Sequence, residues 1–385
     1  MADLQNTLLP MAKAAPSRTP RTPRTTLRSG LRSALRTGLA PLALLSGAKS
    51  FRDNPVIGSR RLNRLGLHVG RIRLADALTA QRRWRLGRRI SAADRRHYAE
   101  QGYLIRENLL PPEQFEALRR EIYGSDWPRL EMRQGNAITR RVALDRARLR
   151  GSHPQLERLL ASREIANLIR YVAGTGAEPI FSLQAILAGL PSERPDPQAT
   201  LHADTFHSLA KAWFFLHDVA EDEGPFAYVP GSQRMTPERL AWERRQSLDA
   251  AQHPIPYHAR CSFRVGPEDL AAMQLPPARR FAVKANTLVI ADTRGFHGRT
   301  ASDHPTCRVE LYAALRRNPF LPWNGLDPLA LPWVRDHIGS LQLGVLERLQ
   351  PLGLAKMPWK PAGQGPIDAG LGDAELGAGR TEAGR

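Results

Sequence analysis

Apolar and polar positions follow two different rhythms along this chain. Between residues 91 and 173 the apolar residues recur at helical spacing. Ser91 is placed to cap a helix that runs through Glu100 and stops at Gly102, and YLIREN after it reads as a short strand. Pro111 and Pro112 open a second helix in which Phe115, Leu118 and Ile122 form one apolar stripe, and residues 154–173 give a further helical pattern. From there the rhythm changes to short strands: PIFSLQAILAG at 179–189, KAWFFLHDV at 211–219, PFAYVPG at 225–231, RFAVKANTLVIADT at 280–293 and TCRVELYAALRR at 306–317. Turns rich in Gly, Pro and Asp separate these runs, and inserted helices are expected after Thr236 (PERLAWERRQSL) and near Pro267. Helices followed by many short, mostly antiparallel strands predict a mainly β fold with flanking helices, a barrel or jelly roll.

Charge divides the chain differently. The formal net charge is +19, but residues 1–90 hold 19 Lys and Arg against 3 acids, while the other 295 residues hold 37 against 34. The body is nearly neutral, and the basic character belongs to an N-terminal arm over 1–90, expected to be partly disordered. Within it Leu27, Leu31, Leu35 and Leu39 recur every four residues with Arg28, Arg32 and Arg36 beside them, a pattern for a short amphipathic helix. Such an arm fits an anionic membrane surface, sequence-independent attraction to nucleic acid, or an organelle transit peptide; no specific nucleic acid is expected. RLNRLGLHV at 61–69 resembles a peroxisomal targeting nonapeptide, but it lies deep in the chain and ends in Val69, so coincidence explains it better. Past residue 361 the chain has 7 Gly in 25 residues, which predicts a flexible tail at the end of a C-terminal extension over 336–385.

Cys261 and Cys307 are too few for a disulfide framework and fit a reducing compartment. The longest apolar stretch, at 39–48, contains Pro41 and falls far short of the roughly 20 residues of a membrane span. The expected location is cytoplasmic, peripheral to a membrane where the arm engages one.

The sharpest chemical signal is TLHADTFH at 200–207. On a strand His202 and Asp204 leave the same face, so one imidazole and one carboxylate can converge on an ion. The third candidate is His297 in LVIADTRGFHGRTAS, where Gly295 and Gly298 would let the backbone bend. Two His and one carboxylate on one side of a metal form the facial triad of non-haem Fe(II) oxygenases. Arg308 follows on TCRVELYAAL, sharing a face with Glu310 and Tyr312. An arginine pointing into a barrel needs a partner: a carboxylate cosubstrate, or Asp204 or Glu310. Trp213 is expected in the barrel wall. Phe206, His207 and Phe296 flank the candidate ligands and are candidates for contact with substrate or with the ligands, with ordinary core packing the better reading; His217, His253, His258, His304 and His337 are read as surface or satisfied core groups, and Glu221, Asp222 and Glu223 as a solvated turn.

Taken together, His202-x-Asp204, the strand from Trp213, GPFAYVPGSQR at 224–234, and His297 followed by Arg308 resemble the phytanoyl-CoA dioxygenase family of Fe(II)- and 2-oxoglutarate-dependent oxygenases. YAEQGYLIRENLLPPEQFEALRREI at 98–122 is similar to that family's N-terminal stretch. The resemblance spans roughly residues 93–320. It implies a double-stranded β-helix (jelly-roll) domain over 91–335 and iron held by His202, Asp204 and His297, with Arg308 on the distal carboxylate of 2-oxoglutarate. It also implies O2 as a reactant and a small-molecule or lipid-derived acyl substrate that is hydroxylated as succinate and CO2 leave. Two positions depart from what that family often or usually carries, Arg299 in place of a small polar residue and Gln233 in place of His, and Glu310 stands where related oxygenases often place Ser. Two other readings stand beside this one. One is a non-catalytic jelly roll that uses its arm on anionic lipid or nucleic acid; the other is a cupin-like metal enzyme without 2-oxoglutarate.

Overall fold

The computed structural model describes residues 41–370 other than 191, 193–195, 303 and 352–356. Its strands are β1 (Tyr103–Arg106), β2 (Trp127–Gln134), β3 (Ala137–Ala143), β4 (Ile180–Ala188), β5 (Ala210–Phe215), β6 (Phe226–Tyr228), β7 (Arg279–Arg280), β8 (Thr287–Asp292), β9 (His297–Arg299), β10 (Thr306–Leu315) and β11 (Lys360–Gly365). Eight of them make one sheet in the order β1-β8-β5-β10-β4-β3-β2-β11, and β7-β6-β9 make a second. The neighbouring strands in both sheets run antiparallel. This is the jelly roll expected from the strand rhythm.

Alternation along the central strands decides what each face does. Val309, Leu311 and Ala313 of β10 join Ala212 and Phe214 of β5 and Leu288 and Ile290 of β8 in a core on the outer face of the large sheet. The helices Pro112–Tyr123, Pro154–Leu160 and Arg163–Ala173 pack there through Phe115, Leu118, Ile122, Leu156 and Ile169. The other face turns Trp213, Phe215, Val289 and Tyr312 toward Phe226 and Tyr228 of the small sheet, so the space between the sheets is partly aromatic. A third core lies beneath the inserted helix Pro237–Asp249, where Trp242 meets Phe51, Ile72, Phe206, Phe263 and Phe296. Local signals place several elements well. Ser91 caps Ala92–Gln101, which ends at Gly102 in the left-handed region with φ of 84°.

Both ends of the body differ from the expectation. The expected helix around residues 27–39 lies outside the described residues. The later part of the basic arm, however, is folded: the helix Leu67–Leu86 packs on the body with Arg71, Ile72, Ala75, Thr79, Arg82 and Leu86 buried. Its apolar stripe is hidden because two of the buried positions are arginines that satisfy backbone carbonyls. Arg71 donates to Leu44, Ser46 and Ala48, and Arg82 to Gly174, Pro319 and Leu321. The folded part therefore begins well before residue 91. At the other end, residues 360–365 form the edge strand β11 on β2 instead of a flexible tail. Ile367 is fully buried, and Arg140 donates to the carbonyls of Ile367 and Ala369 at 2.7 Å each. An edge strand is held through its backbone, so a Gly- and Pro-rich sequence suffices. Residues 371–385 lie outside the described residues.

Candidate metal centre

His297 opens β9, which pairs with β6 so that Tyr228 lies opposite it. On its other side His297 exchanges both backbone hydrogen bonds with His202, each at 2.9 Å, so the two histidines face one another as a hydrogen-bonded antiparallel pair. That register, and not mere proximity, puts both imidazoles on one face. Asp204 is fixed two residues on by its backbone N–H, which donates to the Thr293 carbonyl at 2.8 Å. The three side chains thus converge from segments far apart in sequence, with one ligand atom of each within 4.8 Å of the others. His202 Nε2 lies 3.9 Å from Asp204 Oδ1, and His297 Nε2 lies 3.6 Å from Asp204 Oδ2.

Gly295 and Gly298 bear on this geometry through space. Neither takes a positive φ, yet a Cβ on Gly295 would collide with the Tyr228 hydroxyl, and one on Gly298 would sit 3.1 Å from the Gln198 carbonyl. The expected backbone bend is a close approach.

The electrostatics suit a cation. His202 Nδ1 lies 2.7 Å from the Thr200 carbonyl and His297 Nδ1 lies 3.0 Å from the Gly295 carbonyl. A carbonyl only accepts, so both rings carry their proton on Nδ1 and present a bare Nε2 lone pair inward. His297 Nε2 is buried with no hydrogen-bond partner. Burial holds His297 at about 4, and burial with the neighbouring His297 holds His202 well below its usual range, so both rings stay neutral and able to ligate. Burial alone would raise the Asp204 carboxyl, but Lys211 and the two imidazoles hold it well below the carboxylate range. Ligands bound at about 2.1 Å around one octahedral ion lie about 3 Å apart, so the observed separations need only a small inward adjustment. The donor set fits a divalent transition metal.

Arg308 lines the same cavity, of about 210 Å³, as His202 and His297. It is 6% exposed. Of the protein partners weighed from the sequence it takes Glu310 and not Asp204: Nε donates to Glu310 Oε2 at 3.1 Å and Nη1 to the Gly224 carbonyl at 2.6 Å. Arg299 lines the cavity and pairs with Asp196 at 3.0 Å. Gln233 is structural, donating to the carbonyls of Tyr98 and Ala99 at 3.1 Å each. Trp213 is part of the cavity wall, while Phe206, His207 and Phe296 are buried in the body.

Three cations at or beside this site escaped the sequence reading. Lys211 places Nζ 2.6 Å from Asp204 Oδ2, and its signal was available: one of only 6 lysines, alternating with Trp213 and Phe215 on an apolar strand. Arg141 also lines the cavity, on β3. Lys49, in the folded part of the arm, donates to the Asp204 backbone carbonyl.

Residues 98–276 match the family model described as Phytanoyl-CoA dioxygenase (PhyH). This part of the chain belongs to that family. The matched stretch of the phytanoyl-CoA dioxygenase fold contains His202 and Asp204 and stops before His297 and Arg308, whose placement rests on the geometry above. Comparison with curated proteins gave no match. Among solved structures, the chain is similar to the non-heme alpha ketoglutarate dependent epimerase SnoN from nogalamycin biosynthesis, with 20% identity, 58% of this chain and 82% of that chain covered, and a TM-score of 0.37. It is also similar to HygX from Streptomyces hygroscopicus with nickel and 2-oxoglutarate bound, at 14% identity, 58% and 86% coverage and a TM-score of 0.38. A third is EctD from S. alaskensis with 2-oxoglutarate and 5-hydroxyectoine, at 16% identity, 59% and 76% coverage and a TM-score of 0.36.

Proposed function

We propose that this member of the phytanoyl-CoA dioxygenase family is an Fe(II)- and 2-oxoglutarate-dependent dioxygenase that hydroxylates a small organic substrate. The observation that carries the reading is the convergence of His202, Asp204 and His297 with both Nε2 lone pairs directed inward. These three residues would hold iron, which with 2-oxoglutarate and O2 supplies the oxidising power for C–H hydroxylation while succinate and CO2 leave.

The chain's own part is placement. Arg308 would take the distal carboxylate of 2-oxoglutarate through Nη2, the guanidinium nitrogen left after Glu310 and Gly224 take the other two. Lys211 compensates the Asp204 carboxylate. Trp213 and Phe226 wall one side of the cavity and limit water there.

The competing reading, a barrel that only binds and uses its arm on anionic lipid or nucleic acid, gains no support among the described residues: Arg82 and Arg83 of the arm are spent on carbonyls of the body, and Arg71 on carbonyls within the arm itself. No described helix is long and apolar enough to cross a membrane.

The test is Fe(II) and 2-oxoglutarate added to the full chain without O2, which should give a weak visible charge-transfer band, followed by succinate release in air. His297→Ala and Asp204→Ala should lose both. A metal-loaded wild type with neither band nor succinate overturns the assignment.

A further inference from the structure

The cations around the cavity are not equally provided for. Lys211 faces Asp204, Arg299 faces Asp196, and Arg308 faces Glu310, each at 3.1 Å or less. Arg141 has no carboxylate partner among the described residues. Among the described residues its one side-chain hydrogen bond runs from Nε to a neutral acceptor, Gln184 Oε1, at 2.9 Å, and its guanidinium rests 4.3 Å from the Tyr312 ring centre and 5.0 Å from that of Trp359. Aromatic faces favour a cation but provide no carboxylate, so Nη1 and Nη2 remain as an open fork. A divalent metal and a doubly charged 2-oxoglutarate cancel one another, and the surplus positive charge of the cavity stays with Arg141.

The fork is held in place. Gln184 accepts from Arg141 and donates from Nε2 to Glu310 Oε1 at 2.6 Å, while Glu310 accepts from Arg308. Residues of three adjacent strands, β3, β4 and β10, thereby form one chain from Arg308 to Arg141 across the barrel floor. Arg141 also borders a second cavity of about 170 Å³, lined by apolar groups including Leu130, Phe181, Leu343, Leu346 and Trp359. It stands at the seam between the metal cavity and this apolar cleft.

We infer that the primary substrate is an organic anion with an apolar portion, its carboxylate or phosphate received by the Nη1/Nη2 fork of Arg141 and its apolar portion lying in the cleft beside the helix Ile338–Leu349. This rests on the oxygenase reading of the metal cavity and extends it to the substrate. A two-oxygen anion matches the two parallel donors of a guanidinium. Burying the charge of Arg141 beneath a bound substrate without such a partner would be costly.

The probes are octanoate, octyl phosphate and 1-octanol, titrated into the full chain and followed by calorimetry. Wild type should bind at least one of the two anions tenfold or more tighter than the alcohol, and the preferred anion distinguishes a carboxylate from a phosphate substrate. Arg141→Gln should lose that preference, while Arg141→Lys, which keeps the charge without the fork, should retain part of it. Melting curves establish that each variant is folded. Equal affinity of wild type for anion and alcohol overturns the inference. So does an Arg141→Gln variant that binds the anions as wild type does, or one whose 2-oxoglutarate affinity falls by as much as its octanoate affinity, which would assign Arg141 to the cosubstrate. Succinate release by wild type in air tests the oxygenase reading separately: its absence with the anion preference intact sinks that reading and leaves the anion site standing.

Discussion

The buried pair of Arg308 and Glu310 makes an unusual prediction, because stability and cosubstrate affinity should move in opposite directions. Glu310 is fully buried and accepts from both Gln184 and Arg308. Glu310→Gln keeps the shape, removes the charge, and leaves one carbonyl oxygen where two carboxylate oxygens had served two donors. Removing one partner of a buried ion pair costs about 3–5 kcal/mol, and since the amide retains one of the two hydrogen bonds we take about 3 kcal/mol. At roughly 2–3 °C per kcal/mol for a body of this size, the melting temperature should fall by roughly 6–9 °C. The guanidinium left behind has lost its counter-charge, so 2-oxoglutarate should bind about tenfold more tightly, or about 1.4 kcal/mol. Calorimetric melts of both proteins with and without 2-oxoglutarate measure both quantities, and the ligand-induced rise should be larger in the variant. A Glu310→Gln protein that melts with wild type would refute the energy given to the buried pair, and one that binds 2-oxoglutarate more weakly would refute the assignment of Arg308 to the distal carboxylate.

Three further outcomes follow from the same geometry. Gly295→Ala forces a methyl group into the Tyr228 hydroxyl and shifts the carbonyl that orients His297 Nδ1, so it should cost about 3 kcal/mol and abolish Ni(II) binding; calorimetry and a metal titration check both. Lys211→Met removes the ammonium group 2.6 Å from Asp204 and should tighten Mn(II) binding at least tenfold, read by loss of the free-ion signal in electron paramagnetic resonance; unchanged or weaker binding contradicts this. His207 is depressed by burial from 6.5 to about 3, so below pH 6.5 the unfolded chain takes up its proton first and stability falls as the pH is lowered toward 3. His207→Asn should remove roughly 2 kcal/mol of the loss between pH 6.5 and pH 5, measured by urea midpoints at the two values, and an unchanged pH slope would count against it.

Much of the fold could be read from local pattern, and, the Gly-rich edge strand β11 aside, the main failures share one cause. Ser91, Gly102 and the stripe of Phe115, Leu118 and Ile122 act within a few residues of themselves, and the structure uses each as expected. The strands β2 and β3 were missed although Gly135, in the left-handed region at φ of 60°, and Asn136 mark the turn between them. Their text, WPRLEMRQGNAITRRVA, carries arginines where apolar residues would signal a strand: Arg140 reaches the carbonyls of 367 and 369, and Arg141 faces the cavity. The helix Leu67–Leu86 was hidden in the same way by Arg71 and Arg82. In this chain a buried arginine often stands where a pattern argument looks for leucine, and its partners are backbone carbonyls supplied from far away in sequence.

The site divides along the same line. His202, Asp204, His297 and Arg308 were legible because residue type and spacing restrict what they can do, and the structure brings the three candidate ligands together, with the arginine on the cavity that the two histidines line. What the sequence could not disclose is which acid answers which base. Net charge over the body is close to neutral, which suggests that charges there cancel without saying where. The structure shows the cancellation to be local, with Asp196, Asp204 and Glu310 each placed against one cation of the cavity, and incomplete at Arg141. Glu310 belongs to this arrangement: a neutral hydroxyl there could accept from Arg308, but could not also neutralise it and accept from Gln184, which orients Arg141. Arg308 and the unpaired Arg141 are therefore two ends of one hydrogen-bonded chain through Glu310 and Gln184, and a change at either end should be felt at the other.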